Sequence, residues 1–328
     1  MFIKRLHKMS PTFGFLRERC AGDIIIPLLG YCYLIYWRLT THLTAHWPQK
    51  GGLEMSRLEI GVMMSVGWTM EQIHQIRDLG FTNVQISAPP EEVLEDQNRR
   101  QKLIDSLNDS GVSVTTVFVG FAGESYADIP TVVETVGYLN PETRQERVGK
   151  TERISDFARE LGVDKVAAHV GFVPEDPKDP AHQPMVDAVR SVADYCKGNG
   201  QAFSLETGQE TAPALLHFLR TLDRENVKVN FDPANMILYG SGEPIEALGI
   251  VADHVISVHA KDGKWPEAKG QLGTEFPLGK GDVGMENFVA KLVEIGYDGP
   301  LTMEREIPDW IQKVKDLVAG KSLLERLM

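Results

Sequence analysis

Cysteine is scarce: Cys20, Cys32 and Cys196 are the only three in 328 residues, and no two form a CxxC pair. Neither a disulfide framework nor a thiolate zinc site is indicated, and a reducing compartment fits. No GxGxxG or GxxxxGK[ST] follows any strand-like run, which removes the main support for a dinucleotide or nucleotide fold. Basic charge is short as well, with 34 Lys and Arg against 46 Asp and Glu, a net charge of -12 and a pI near 5.3. Binding to a phosphate backbone draws on clustered Lys and Arg, so nucleic acid is set aside and a small molecule is the expected partner. The apolar run at 24–37 (IIIPLLGYCYLIYW) is broken by Pro27 and Gly30 and is shorter than the roughly 20 residues that span a bilayer. Glu18 and Asp23 precede it and RLTTHLTAHW follows, a poor match to a secretory signal. No membrane partner is therefore expected and a cytoplasmic location is, with export or anchoring through residues 24–37 as the alternative.

The charge that is present is unevenly placed. Residues 1–54 carry seven Lys or Arg against three Asp or Glu, net +4, leaving 27 against 43, or -16, for the rest. Two chemically different segments are joined. Residues 1–54 are expected to be a leader, disordered or outside the fold, and residues 55–328 the folded part, opening at MSRLEIGVMM directly into a strand.

From Leu58 onward short apolar runs alternate with longer amphipathic segments, the pattern of βαβ units, because parallel strands require a helical crossover. Eight strands are predicted, at 58–64, 82–87, 112–119, 165–170, 202–206, 227–232, 254–260 and 300–304. Between them lie helical segments such as TMEQIHQIRDLG and MENFVAKLVEIG; Gly80, Gly162 and Gly296 each close a helix, and Thr69 and Asp78 supply ordinary helix-end chemistry. Eight such units and no other strand-rich stretch predict a single-domain (β/α)8 barrel of the TIM type, a fold that routinely runs to about 250 residues as one domain. In that fold the chemistry sits at the carboxyl ends of the strands.

There the sequence places ionisable groups. Predicted strands four to eight end in His169, Glu206, Asp232, His259 and Glu304. Neighbouring barrel strands lie about 4.8 Å apart, so the tips of the last four share one arc and their side chains can converge. Three carboxylates and an imidazole suit Mn²⁺, Co²⁺, Mg²⁺ or Zn²⁺. Without a cation, three anions in an apolar mouth repel one another. The competing account is a set of salt bridges with Lys228, Lys261 or Arg305. Side chains two apart on a strand point the same way, so Glu306 is an alternative to Glu304.

The pieces LETGQE, NFDPAN, SVHAKD, PLGKGDVGMENF and GYDGPLTMERE, within residues 57–307, resemble the sugar phosphate isomerase and epimerase superfamily, the xylose isomerase-like TIM barrels. That resemblance implies one divalent ion bound by Glu206, Asp232, His259 and Glu304. It further implies isomerase or epimerase activity on a sugar or keto-sugar, by proton abstraction alpha to a carbonyl through a metal-bound enediolate, with Glu206 and Glu304 as the two bases. His169 is expected to bond a substrate hydroxyl, and Asn235, Lys261 and Trp265 are further candidates for substrate contact. The chain departs from the ketose 3-epimerases at Asn235, where they carry histidine, and in the longer loop DGKWPEAKGQLGTEF. A lyase or dehydratase acting on a keto-sugar or inosose would use the same residues and the same first step. A phosphodiesterase like endonuclease IV is the remote alternative; it needs several metals and extra histidines, whereas His74, His182, His217 and His254 fall on predicted helices or at a strand start. Homo-oligomerisation is left open.

Overall fold

The strand runs share one pattern: alternate positions are large and apolar, and those between are small or polar. In AFSLE the first kind are Phe203 and Leu205 and the second Ser204 and Glu206; in VKVNFD they are Val227, Val229 and Phe231 against Lys228, Asn230 and Asp232. A pleated strand sends these sets to opposite faces, which suits a sheet with helices outside and a functional lumen inside.

A computed structural model describes residues 58–328 and shows this arrangement; the expectations for residues 1–54, the apolar run at 24–37 included, fall outside the described residues. The chain forms β1 (Ile60–Met64), β2 (Asn83–Ser87), β3 (Ser113–Val119), β4 (Lys165–Ala168), β5 (Ala202–Glu206), β6 (Val227–Phe231) and β7 (Val255–Ala260). A short antiparallel pair follows, β8 (Asp262–Lys264) with β9 (Thr274–Phe276), and then β10 (Leu301–Met303). Strands β1 to β7 and β10 close a parallel eight-stranded barrel in the order β1-β10-β7-β6-β5-β4-β3-β2. This is a (β/α)8 TIM barrel in one domain.

The connections are α1 (Met70–Asp78), α2 (Glu91–Leu94), α3 (Gln97–Asp109), α4 (Ile129–Thr135), α5 (Arg144–Glu160), α6 (His182–Gly198), α7 (Ala212–Leu222), α8 (Pro233–Tyr239), α9 (Pro244–Val251), α10 (Met285–Glu294) and α11 (Trp310–Leu327). Thr69 caps α1 in a reciprocal capping box with Gln72. Gly80, Gly162 and Gly296 adopt positive φ just past α1, α5 and α10, where a side chain would strain the reversal into the next strand. Among the described residues, no helix is long and apolar enough to cross a membrane.

Packing follows the alternation. Phe203, Leu205, Val229, Phe231, Val258 and Leu301 are fully buried in the layer between sheet and helices, and Phe231 stacks on Phe288 of α10. The opposite parity is polar: Gln85, Thr116, Ser204, Asn230, Ser257 and Thr302 are equally buried. Register brings these together, pairing Gln85 with Thr116, Asn230 with Ser257, and Thr302 with His259.

The segment DGKWPEAKGQLGTEF, expected to be a plain loop, is instead built around the β8–β9 pair. Its anchor is Asp262, 1% exposed. One carboxylate oxygen accepts from the N–H groups of Gly263 and Val283, at 2.9 and 3.2 Å, and the other from those of Gly279 and Gly281, both at 2.9 Å. Position 281 must be glycine, because a Cβ there would collide with the Asp262 carboxylate and the Gly263 backbone. Removing the carboxylate leaves the buried N–H groups of Gly263 and Val283 unsatisfied. Asp262→Ala is expected to lower stability by at least about 2 kcal/mol, read from the denaturant midpoint; an unchanged midpoint would contradict the anchoring role.

Candidate active site

Strands β5, β6, β7 and β10 deliver Glu206, Asp232, His259 and Glu304 to the carboxyl end of the barrel. One ligating atom from each lies within 4.8 Å of all the others. His259 Nδ1 is 2.8 Å from Glu206 Oε1, 3.2 Å from Glu304 Oε2 and 3.6 Å from Asp232 Oδ2. Glu306, the alternative, has a side chain 62% exposed against 13% for Glu304. It stands outside the cluster because β10 ends at Met303 and the chain turns away.

The contacts around the cluster leave specific atoms free. Asp232 is the N-cap of α8 and spends Oδ1 on the Asn235 N–H at 3.0 Å. Glu206 Oε2 meets His169 Nε2 at 2.7 Å. His259 Nε2 faces Gln85 Oε1 at 3.0 Å, and Gln85 in turn donates to Asn230 at 3.3 Å. Glu206 Oε1, Asp232 Oδ2 and His259 Nδ1 are buried without a hydrogen-bond partner, and all three belong to the same cluster. Orphaned buried polar atoms are costly, and three pointing at one spot with a hard or borderline donor set fit a divalent cation. These four residues could hold one.

The electrostatics are those of anions kept in a buried site by nearby cations. Burial opposes charge on Glu206, but His169 and His259 outweigh it and hold its carboxyl below the usual range. Burial likewise opposes charge on Glu304, and Lys261 and His259 overcome it. At Asp232 burial prevails and the pKa rises despite Lys261. For His259 burial favours the neutral ring, yet Glu304 and Glu206 raise it well above its ordinary value.

The other candidates are distributed as follows. His169, Asn235 and Lys261 line the cavity above the cluster, which measures about 680 Å³. His169 is engaged with Glu206. Lys261 Nζ reaches Glu304 at 3.0 Å, Glu306 at 3.2 Å and Asn235 Oδ1 at 3.3 Å, so one of the proposed salt bridges exists alongside the cluster. Arg305 instead pairs with Glu275 and Asp316. Trp265 does not line this cavity: it packs against the apolar core, its backbone N–H donating to Asp282 at 3.3 Å. His74, His182, His217 and His254 lie on α1, at the start of α6, on α7 and just before β7.

Sequence reasoning missed Gln85, Tyr126 and Glu275. Gln85 could have been flagged as a polar residue inside the apolar run NVQIS. Glu275 reaches the cavity through β9 and Tyr126 through the loop after β3, and no local signal announces either.

A model of the xylose isomerase-like TIM barrel family matches residues 73–326, and the chain belongs to that family. A crystal structure of a xylose isomerase domain protein from Planctomyces limnophilus is 44% identical, with a TM-score of 0.78 over 83% of this chain and 97% of that one. A xylose isomerase-like TIM barrel protein from Mycobacterium smegmatis, solved in complex with magnesium, is 17% identical, with a TM-score of 0.62 over 82% and 96% of the two chains. A D-psicose 3-epimerase from Clostridium cellulolyticum H10, solved with D-tagatose, is also 17% identical, with a TM-score of 0.62 over 82% and 99%. At that identity the last two show likeness of fold.

Four residues past Glu206, Glu210 is buried and accepts the Val173 N–H at 3.0 Å, and burial pushes its carboxyl up to about 7 from an ordinary 4.5. Between those values the folded chain keeps a proton that the unfolded chain has released, so its contribution to stability falls as pH rises. Glu210→Gln is expected to lose less stability than the parent between pH 5 and 8. Equal losses in denaturant titrations would remove burial as the cause.

Proposed function

We propose that the protein is a divalent-metal-dependent sugar isomerase or epimerase, in which Glu206, Asp232, His259 and Glu304 hold one ion. The observation carrying this reading is the convergence of four ligating atoms within 4.8 Å of one another, three of them buried without a hydrogen bond, beneath an open cavity. The magnesium in the Mycobacterium relative and the sugar in the Clostridium epimerase agree with it.

When bound, the ion supplies Lewis-acid polarisation of a substrate carbonyl and its neighbouring hydroxyl. The chain's own residues do the rest. Glu206 and Glu304 stay ionised in a buried site, as proton acceptors must. One removes the proton alpha to the carbonyl and the other returns one from the opposite face. Lys261 fixes Glu304 and His169 fixes Glu206 through the contacts already described, and each restrains the carboxylate it touches. Gln85 takes up His259 Nε2 and so presents Nδ1 to the cluster. A metal-binding histidine depends on such a partner for tautomer and ring orientation.

Two outcomes test this reading. Gln85→Leu is expected to weaken Mn²⁺ affinity about 10–100-fold in calorimetric titration; an unchanged affinity would show that Nδ1 needs no such fixing. With metal content matched to the parent, Glu304→Gln is expected to slow solvent deuterium incorporation alpha to a ketose carbonyl by about 100-fold or more. Exchange at the parental rate would end the two-base scheme. Product analysis by NMR then separates epimerisation from elimination, which begins with the same proton abstraction.

A further inference from the structure

We infer that the substrate is an uncharged sugar, carrying neither phosphate nor carboxylate; the inference rests on the functional reading above. Five carboxylates line the cavity, from Glu124, Glu206, Glu275, Glu304 and Glu306, and the cationic side chains among the lining residues are Lys261 and His169. Both are already committed, Lys261 to Glu304 and Glu306 and His169 to Glu206. An ion of charge +2 would offset most of the charge on Glu206, Asp232 and Glu304. Glu306 would remain at the rim, sharing Lys261 with Glu304, and Glu124 would remain with its two oxygens on the Phe121 and Gly137 N–H groups.

The devices that seat a phosphate are each taken. A guanidinium fork is one such device, but Arg305 is turned onto Glu275 and Asp316 at 2.8 Å each. A turn rich in backbone N–H groups is another, but those of Gly279 and Gly281 are filled by the Asp262 carboxylate. At the start of α8, Asp232 caps the helix. Of the nearby rim cations, Lys150 donates to the Gly120 carbonyl and Lys313 lies over Trp68, and neither lines the cavity.

What the cavity does offer suits a neutral polyol. Carboxylates and the Asn235 carbonyl accept from hydroxyl groups. Phe118, Phe121, Tyr126, Tyr239, Leu238 and Leu272 supply aromatic and apolar surface for the C–H faces of a sugar. A phosphate or carboxylate would enter against fixed negative charge with no free donor cluster among the described residues to receive it.

The test uses Mn²⁺-loaded protein and free ketohexoses beside their 1- and 6-phosphates. Deuterium exchange gives kcat/KM, and calorimetry follows binding of unreactive hexitols and hexitol phosphates. The free sugars are expected to be favoured about 100-fold or more, with added salt narrowing the ratio. Glu306→Lys is expected to raise kcat/KM for the phosphates about tenfold. Phosphates used within about tenfold of the free sugars, or a ratio insensitive to both salt and Glu306→Lys, would overturn this inference and leave the proposed reaction standing. Neither exchange nor binding with any sugar, in protein that keeps its ion, would overturn the reaction and this inference together.

Discussion

Three carboxylates cannot be buried within a few ångströms of one another unless something positive sits among them, and the mouth of this barrel is organised around that requirement. His259 is drawn toward Glu206, Asp232 and Glu304, and Lys261 bridges Glu304 and Glu306 while approaching Asp232 at 3.8 Å. These cations moderate the repulsion without satisfying the ligating atoms, since Glu206 Oε1, Asp232 Oδ2 and His259 Nδ1 remain without hydrogen bonds. A salt-bridge network evolved for stability alone would be expected to close those valences. Their being left open is what supports the proposal that the four residues hold an ion.

Barrel closure supplies the geometry. Each inward position just below the mouth is small or able to hydrogen-bond, so the clustered side chains above it are backed by Ser204, Asn230, Ser257 and Thr302 in place of bulky aliphatic side chains. Gln85 lies on β2, far from His259 in sequence, yet the closed sheet brings the two side chains within 3.0 Å across the lumen. Residues that orient the cluster can therefore come from anywhere around the ring.

This explains what the sequence made legible. The eight barrel strands could be read because each has an apolar parity facing the helices, and the four clustered residues because each terminates such a run. Glu304 joins the cluster and its alternative Glu306 does not, because β10 ends at Met303. Gln85 and Glu275 stayed hidden because their significance lies in contacts across the barrel or through the β8–β9 pair, and a linear pattern does not encode the partner. Trp265 misled for the converse reason: an aromatic in a long loop beside the mouth invites a role in sugar binding, but the β8–β9 pair turns it onto the core. His169 was placed correctly at the mouth, whereas its bond to Glu206 depends on the pairing of β4 with β5.

The Asp262 anchor carries a thermodynamic consequence for ligand capture. Long insertions at the catalytic end of a barrel are commonly free to fluctuate, and a ligand must then meet the entropic cost of ordering them. Here the carboxylate gathers four amide protons from a stretch of about twenty residues, and Glu275 within that stretch is held by Arg305. The wall is thus shaped during folding, and that cost is met before any substrate arrives.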